Sequence, residues 1–253
     1  MRVITITNHK GGVGKTTTAI TLGHGLARAG KNVLIIDMDA QGNVASSLNI
    51  ESPQASHILF NLPDHSSRAL ELLKEYFFLS RPNLWILPGG NKLNVVQGSF
   101  GTGGIPLNEL RGVLGMLTKL FDYIVIDTAP SQGGIQERAL FAADFVVIPC
   151  SPRFLSIQGA HNTIEILETM KSHGWGGKLV GVLPTFFGEN DVDARNNMRD
   201  MEEGLGKILM EPIHNAAAFA RASTNGMTIF EWDSRSRSAN EYQVLVNNIL
   251  WLQ

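Results

Sequence analysis

A single cysteine, Cys150, stands in the 253 residues. One thiol cannot form an internal disulfide, and alone it cannot supply a zinc cluster or an iron–sulfur site, which points to a reducing, cytoplasmic setting. Positive charge is not in excess either: 21 Lys and Arg stand against 23 Asp and Glu, a formal net charge of -2. That excludes the global basic field that dominates non-specific DNA binding, so any DNA contact must come from a local patch. No apolar run approaches the roughly 18 residues of a membrane span. Residues 1–7 lack the apolar core and small-residue cleavage site of a secretory signal. The glycine-rich stretches at 88–90 and 98–104 are too short for interdomain linkers. With no internal repeat and no break in composition, residues 1–253 read as a single domain.

What the chain does have is alternation. Short β-branched runs at 3–7, 33–37, 84–87, 123–127, 145–149 and 179–185 read as strands, and the segments between them as helices. Apolar residues recur at three-to-four spacing over 15–29, 107–120, 157–173, 191–204 and 238–250, which predicts covering helices. Strand and helix in turn specify an α/β fold with a mostly parallel, twisted sheet and helices on both faces. Residues 51–83 are less legible, with an amphipathic helix expected over 67–78.

The first strand runs directly into Lys10-Gly11-Gly12-Val13-Gly14-Lys15-Thr16-Thr17 and then into a helix, the context that a phosphate-binding P-loop requires. Glycines let the backbone curl so that successive N–H groups point at phosphate oxygens, and the helix N-terminus adds a favourable partial charge. Lys15 is placed for the β- and γ-phosphates, Thr16 for Mg²⁺ and Thr17 for the α-phosphate. Two further segments put carboxylates at strand ends: Asp37 and Asp39 in Asp37-Met38-Asp39-Ala40-Gln41-Gly42-Asn43, and Asp127 closing the apolar run Tyr123-Ile124-Val125-Ile126. In a parallel sheet these ends face the loop after the first strand. Burying Asp127 without a cation would be costly, which suits a metal-bound water.

The loop departs from the ordinary Walker pattern, with His9 where a glycine is usual and an additional lysine at position 10. In this it resembles the deviant Walker loop of the ParA, MinD and nitrogenase-iron-protein superfamily. The resemblance continues through the Asp37–Asn43 segment, Thr128-Ala129-Pro130-Ser131, Val147-Ile148-Pro149, Gln158-Gly159, Gly181 to Thr185, Ala222 to Gly226 and Tyr242, and thins between residues 50 and 105. Ala129 stands where the family usually has a first proline. The resemblance implies a P-loop ATPase that uses ATP and Mg²⁺ to pass between monomer and homodimer. Lys10 would reach the partner's phosphates, Asp39 would orient the attacking water, and Asp37 would support the metal through water or hydrogen bonds, alongside Thr16 and Asp127. Gly133 and Gly134 would give hinge freedom to a γ-phosphate-dependent loop. Adenine contacts fall on Thr185 and Ile213, although Pro212-Ile213-His214-Asn215 displaces the family's Pro-Arg-Asn proline by one position.

The resemblance is to the small partition ATPases, since a motif beginning at residue 10 leaves no room for an N-terminal helix-turn-helix domain. It implies non-specific DNA binding by the dimer through Arg195, Arg199, Arg221, Arg235 and Arg237, a nucleoid location, and a ParB-like or other cargo adaptor that stimulates hydrolysis. The cargo would be a plasmid, a chromosome or a protein assembly. A MinD-like membrane regulator needs a basic amphipathic tail, and residues 241–253 hold no Lys or Arg. A reductase of the iron-protein kind needs more cysteines than one. A bacterial tyrosine kinase would carry a tyrosine-rich tail, and the tyrosines number three. A metabolic P-loop enzyme stays open as the alternative, because its small-molecule pocket would not announce itself in sequence.

Overall fold

The computed structural model describes residues 1–62, 64–100, 105–130 and 133–252. Residues 101–104 of the glycine-rich stretch, Ser131 and Gln253 lie outside the described residues. Among the described residues, seven strands form one sheet: β1 (Arg2–Ile6), β2 (Val33–Met38), β3 (Phe78–Arg81), β4 (Leu84–Leu87), β5 (Tyr123–Thr128), β6 (Phe145–Cys150) and β7 (Lys178–Pro184). The helices are α1 (Lys15–Arg28), α2 (Asn43–Ser47), α3 (Ser67–Lys74), α4 (Lys92–Ser99), α5 (Glu109–Gly115), α6 (Gly134–Ala142), α7 (Phe154–Ser172), α8 (Val192–Leu205), α9 (Ala217–Thr224), α10 (Ile229–Trp232) and α11 (Arg237–Trp251). The strand order is β3-β4-β2-β5-β1-β6-β7, all parallel except β3 against β4.

The central strands read as unbroken apolar runs because both faces of the sheet are covered. In β2 the side chains alternate between two cores: Val33 and Ile35 join Leu22, Leu26, Tyr242 and Val246 of α1 and α11, whereas Leu34 and Ile36 join Leu110 and Leu114 of α5 and Ala139 of α6. A third cluster packs Val146, Ile148 and Val182 against Leu167 of α7 and Met201 of α8. The chain leaves β1 towards β2 on one side and later passes from β5 to β6 on the other. Ligands of open α/β sheets bind at the strand C-termini of such a switch point, and the Lys10–Thr17 loop sits there.

The expected helix over 67–78 is corrected. It stops at Lys74, and Phe78–Arg81 pairs antiparallel with β4 as an edge strand. The turn is set by Asn83, whose φ of 61° is left-handed, a conformation that Asn tolerates better than most residues. The expected helix over 107–120 is shorter too, ending at Gly115.

Candidate nucleotide site

Gly12 and Gly14 have φ of 73° and 82°, conformations that only glycine takes without strain. Gly14 also serves as the N-cap of α1 with no side chain over the helix end, leaving that end open to a ligand. Lys15 is buried, and its Nζ donates to the carbonyl oxygens of Asn8 (3.1 Å) and Lys10 (3.0 Å) across the loop. Burial lowers the pKa of this ammonium, while Asp127 and Asp39 oppose that shift. The loop is braced from behind by Asn8, whose amide donates to Pro149 O and whose Oδ1 accepts from Lys10 N.

Asp37 and Asp127 face each other in register on adjacent strands. Both are fully buried. Asp127 Oδ2 accepts from Thr16 Oγ1 at 2.7 Å, but Oδ1 is buried with no hydrogen-bond partner. Burial, and then the neighbouring Asp37, push the Asp127 carboxyl well above the usual range. Asp37 is raised to about 7, chiefly by burial against the pull of backbone N–H groups. Its two oxygens accept from Asp39 N (2.9 Å) and Val44 N (3.0 Å), so the side chain anchors the Asp37–Val44 segment to the strand end. A Cβ on Gly89 would collide with Asp39 O and the Asp37 carboxyl, which is why the chain needs glycine there. The structure therefore shows Asp37 positioning the segment that carries Asp39.

A cavity of about 490 Å³ opens between these parts, lined by the loop from Gly11 to Thr17 and by Asp39, Gln41, Asn43, Thr128 and Pro130. Asp39 reaches it while holding Gln41 N at 2.9 Å. Lys10 does not line it: this residue is exposed, and its ammonium has no partner among the described residues. Gln41, Asn43 and Pro130 were not singled out in the sequence, although the Asp37–Asn43 and Thr128–Pro130 segments that carry them were. Among the described residues no cage of three or more His, Cys, Asp or Glu side chains forms. A metal here would be held by the Thr16 hydroxyl and the Asp127 carboxylate together with the ligand's own oxygens, which is how Mg²⁺ is usually bound. The partnerless Asp127 Oδ1 fits such a cation.

The two residues expected to contact the base are both held inside the fold. Thr185 is buried and its hydroxyl donates to Val13 O at 2.8 Å, tying β7 to the phosphate loop. Ile213 is a core residue packed with α1 and α11. A second cavity, of about 710 Å³, adjoins them, lined by Pro152, Phe186, Phe187, Asn197, His214 and Asn215 among others.

The five arginines divide. Arg237 donates to Glu189 (2.6 Å) and Glu241 (2.7 Å), and Arg195 to the Glu189 carbonyl oxygen (2.7 Å). Arg199, Arg221 and Arg235 are exposed, with no acidic partner for their guanidinium groups among the described residues.

Residues 1–176 match the family model described as AAA domain. The chain is 29% identical over 255 residues to the sporulation initiation inhibitor protein Soj of Bacillus subtilis, covering 98% of each. It is 29% identical over 252 residues to the chromosome partitioning protein ParA of Myxococcus xanthus, covering 98% of this chain and 88% of that protein. Apo McdA of Cyanothece superposes with a TM-score of 0.86 at 24% identity, covering 99% of both chains. An ATP complex of a variant of that protein also gives 0.86, at 23% identity and covering 100% and 98%. Among the described residues no helix is long and apolar enough to cross a membrane.

Proposed function

The chain belongs to the AAA domain family as a small ParA/MinD-type P-loop ATPase of the partition and positioning group, and on that premise we propose that it is a nucleotide-switched positioning factor. In this reading residues 1–253 act as one ATPase domain. Mg-ATP closes two copies face to face, the dimer holds DNA without sequence preference on the nucleoid, and a ParB-like or other cargo adaptor triggers hydrolysis and release.

The observation that carries the reading is the division of labour between two lysines five positions apart in one loop. Lys15 is buried beneath the cradle, placed to meet phosphate oxygens in exchange for the two carbonyls it now bonds. Lys10 lies outside its own cavity, with no partner for its ammonium among the described residues, a position suited to the phosphates of a second copy. When bound, Mg²⁺ would neutralise phosphate charge, and ATP would supply the phosphoryl group passed to water. Lys15 and Lys10 would then place cations on charge that develops in transfer. Asp39, at the cavity wall, is placed to orient the attacking water. Thr16 and Asp127 would hold the metal, and Asp37 keeps the Asp39 segment in place. The DNA surface falls first to Arg199, Arg221 and Arg235, since Arg195 and Arg237 are already engaged by Glu189 and its neighbours.

Light scattering on size-exclusion fractions tests the switch. The wild type should be dimeric in Mg-ATP and monomeric in Mg-ADP, Asp39→Ala should stall as the ATP dimer, and Lys10→Ala should bind ATP yet stay monomeric. A wild type equally dimeric with both nucleotides, or a Lys10→Ala that dimerises normally, would sink the proposal. On the wild-type dimer, log affinity for duplex DNA should fall with log salt at a slope of roughly -0.9 per phosphate contact. Arg221→Glu should flatten that slope while leaving ATP affinity unchanged.

A further inference from the structure

Phe186 is the residue common to the linings of the 490 Å³ loop cavity and the 710 Å³ cavity beside it. Its φ of 55° lies in the left-handed region, where a bulky aromatic is an outlier and where such strain persists only if its surroundings hold it. They do hold it here. On one side Thr185 N donates to Cys150 O at 3.0 Å and the Thr185 hydroxyl to Val13 O. On the other, Phe187 N donates to Ile213 O (3.1 Å) and accepts through its own carbonyl from Asn215 N (2.9 Å). The ring is thereby laid over the phosphate loop: a Cβ on Gly14 would lie 3.1 Å from Phe186 Cζ. Core packing does not explain this arrangement, because Phe186 is only half-buried and belongs to none of the apolar clusters.

We propose that Phe186 is the base platform of the nucleotide site: the phosphates occupy the loop cavity, the nucleobase enters the larger cavity, and it stacks on the Phe186 ring between them. The proposal rests on the nucleotide-binding reading above. The left-handed backbone is what aims the ring, and with the Thr185 hydroxyl on Val13 O and Ile213 in the core, the ring is the apolar surface at the junction. A flat aromatic face attracts every base through its π-system, so stacking adds affinity without choosing between purines. Base choice would then fall to polar groups of the larger cavity such as the Asn215 amide, which has no side-chain partner among the described residues.

Titration calorimetry with Mg-ATP, Mg-GTP and inorganic tripolyphosphate tests this on the full chain. The variant is Phe186→Gly, which removes the ring and suits the left-handed backbone, with Phe186→Tyr as the conservative rescue. Phe186→Gly should weaken ATP and GTP alike by roughly 5- to 150-fold, leave tripolyphosphate affinity unchanged, and recover with tyrosine. An unchanged ATP-to-tripolyphosphate ratio would overturn the platform while sparing nucleotide binding. Equal loss of all three ligands would also overturn it, making the ring a prop for the loop. A folded wild type that binds neither ATP nor tripolyphosphate would overturn both the platform and the reading beneath it.

Discussion

The two ends of helix α1 are built on opposite principles. At its N-terminus the phosphate loop gathers groups that the unliganded protein leaves in conflict: two facing buried aspartates, a carboxylate oxygen without a partner and a lysine held on carbonyls. Near its C-terminal half, His24 belongs to a network of side chains from α1, β3 and α10 that hydrogen-bond to one another. His24 Nδ1 bonds Thr228 Oγ1 at 2.7 Å, Thr228 and Glu231 form a reciprocal capping box, and Arg81 of edge strand β3 grips Glu231 with Nε (3.0 Å) and Nη2 (3.1 Å). Arg81 also bonds Gly226 O, and Arg28 lies over the Phe230 ring at 4.5 Å. A satisfied buried network stabilises, whereas a half-satisfied one is kept only where something else completes it. The contrast locates the ligand end of the molecule without reference to any motif.

Removing a member from each end should therefore have opposite signs. Arg81→Ala leaves Glu231 partly buried without its cation and frees Gly226 O, and should destabilise by about 2–4 kcal/mol. For a chain of this size that is a fall in Tm of roughly 5–15 °C. Thermal unfolding checks it, and a shift below about 1 °C would show the strap to be ornamental. Nucleotide affinity should be nearly unchanged, because the strap lies away from the cavity lining.

Asp127→Asn should do the reverse. Replacing a buried carboxylate, one of whose oxygens has no partner, with a neutral amide removes its repulsion from Asp37 while keeping an acceptor for Thr16. In the absence of nucleotide the variant should be more stable than the wild type by about 1–2 kcal/mol at pH 8. The gain should shrink as the pH falls towards 5, because the raised pKa favours the protonated wild-type carboxyl. Mg²⁺-dependent tightening of ATP should disappear. A variant less stable than the wild type at both pH values would mean that the two ends do not differ as argued.

The end that holds the conflict is also the end that was legible in the sequence. Phosphate loops are local: glycine φ, lysine and threonine all lie within eight residues, so Lys10–Thr17 could be assigned from spacing alone. Asp127 was legible because an apolar run ending in a carboxylate demands a partner. The anchoring work of Asp37 was not legible, since the N–H groups that occupy its oxygens come from a turn whose path only the fold defines. The satisfied end was nearly invisible. Strand β3 was hidden in an amphipathic pattern, and Arg81 meets Glu231 across 150 residues of chain. Phe186 escaped for a related reason: its importance lies in a backbone angle, and no residue type announces a left-handed phenylalanine.

The smallest effect expected is a pH dependence that separates the two ends by sign. Burial lowers the His24 pKa to about 4 from 6.5, so the folded state binds fewer protons there than the unfolded state between those values. Stability from His24 is accordingly complete above about pH 6.5 and is lost as the pH falls towards 4. Asp37, raised to about 7, acts oppositely: the folded state binds more protons between about pH 4 and 7, so this carboxyl erodes stability as the pH rises through that window. In the wild type without nucleotide the two slopes largely offset one another. His24→Gln removes one of them and keeps a polar group for Thr228. Measured as the difference between variant and wild type, which cancels the titration of groups remote from His24, the variant should be worse by about 1 kcal/mol at pH 7. It should then gain about 1–2 kcal/mol on the wild type between pH 6.5 and pH 5. Urea melts at half-unit intervals read this directly. A difference that stays flat with pH would mean that His24 is not held neutral by burial, and that the well-satisfied end is less dry than its hydrogen bonds indicate.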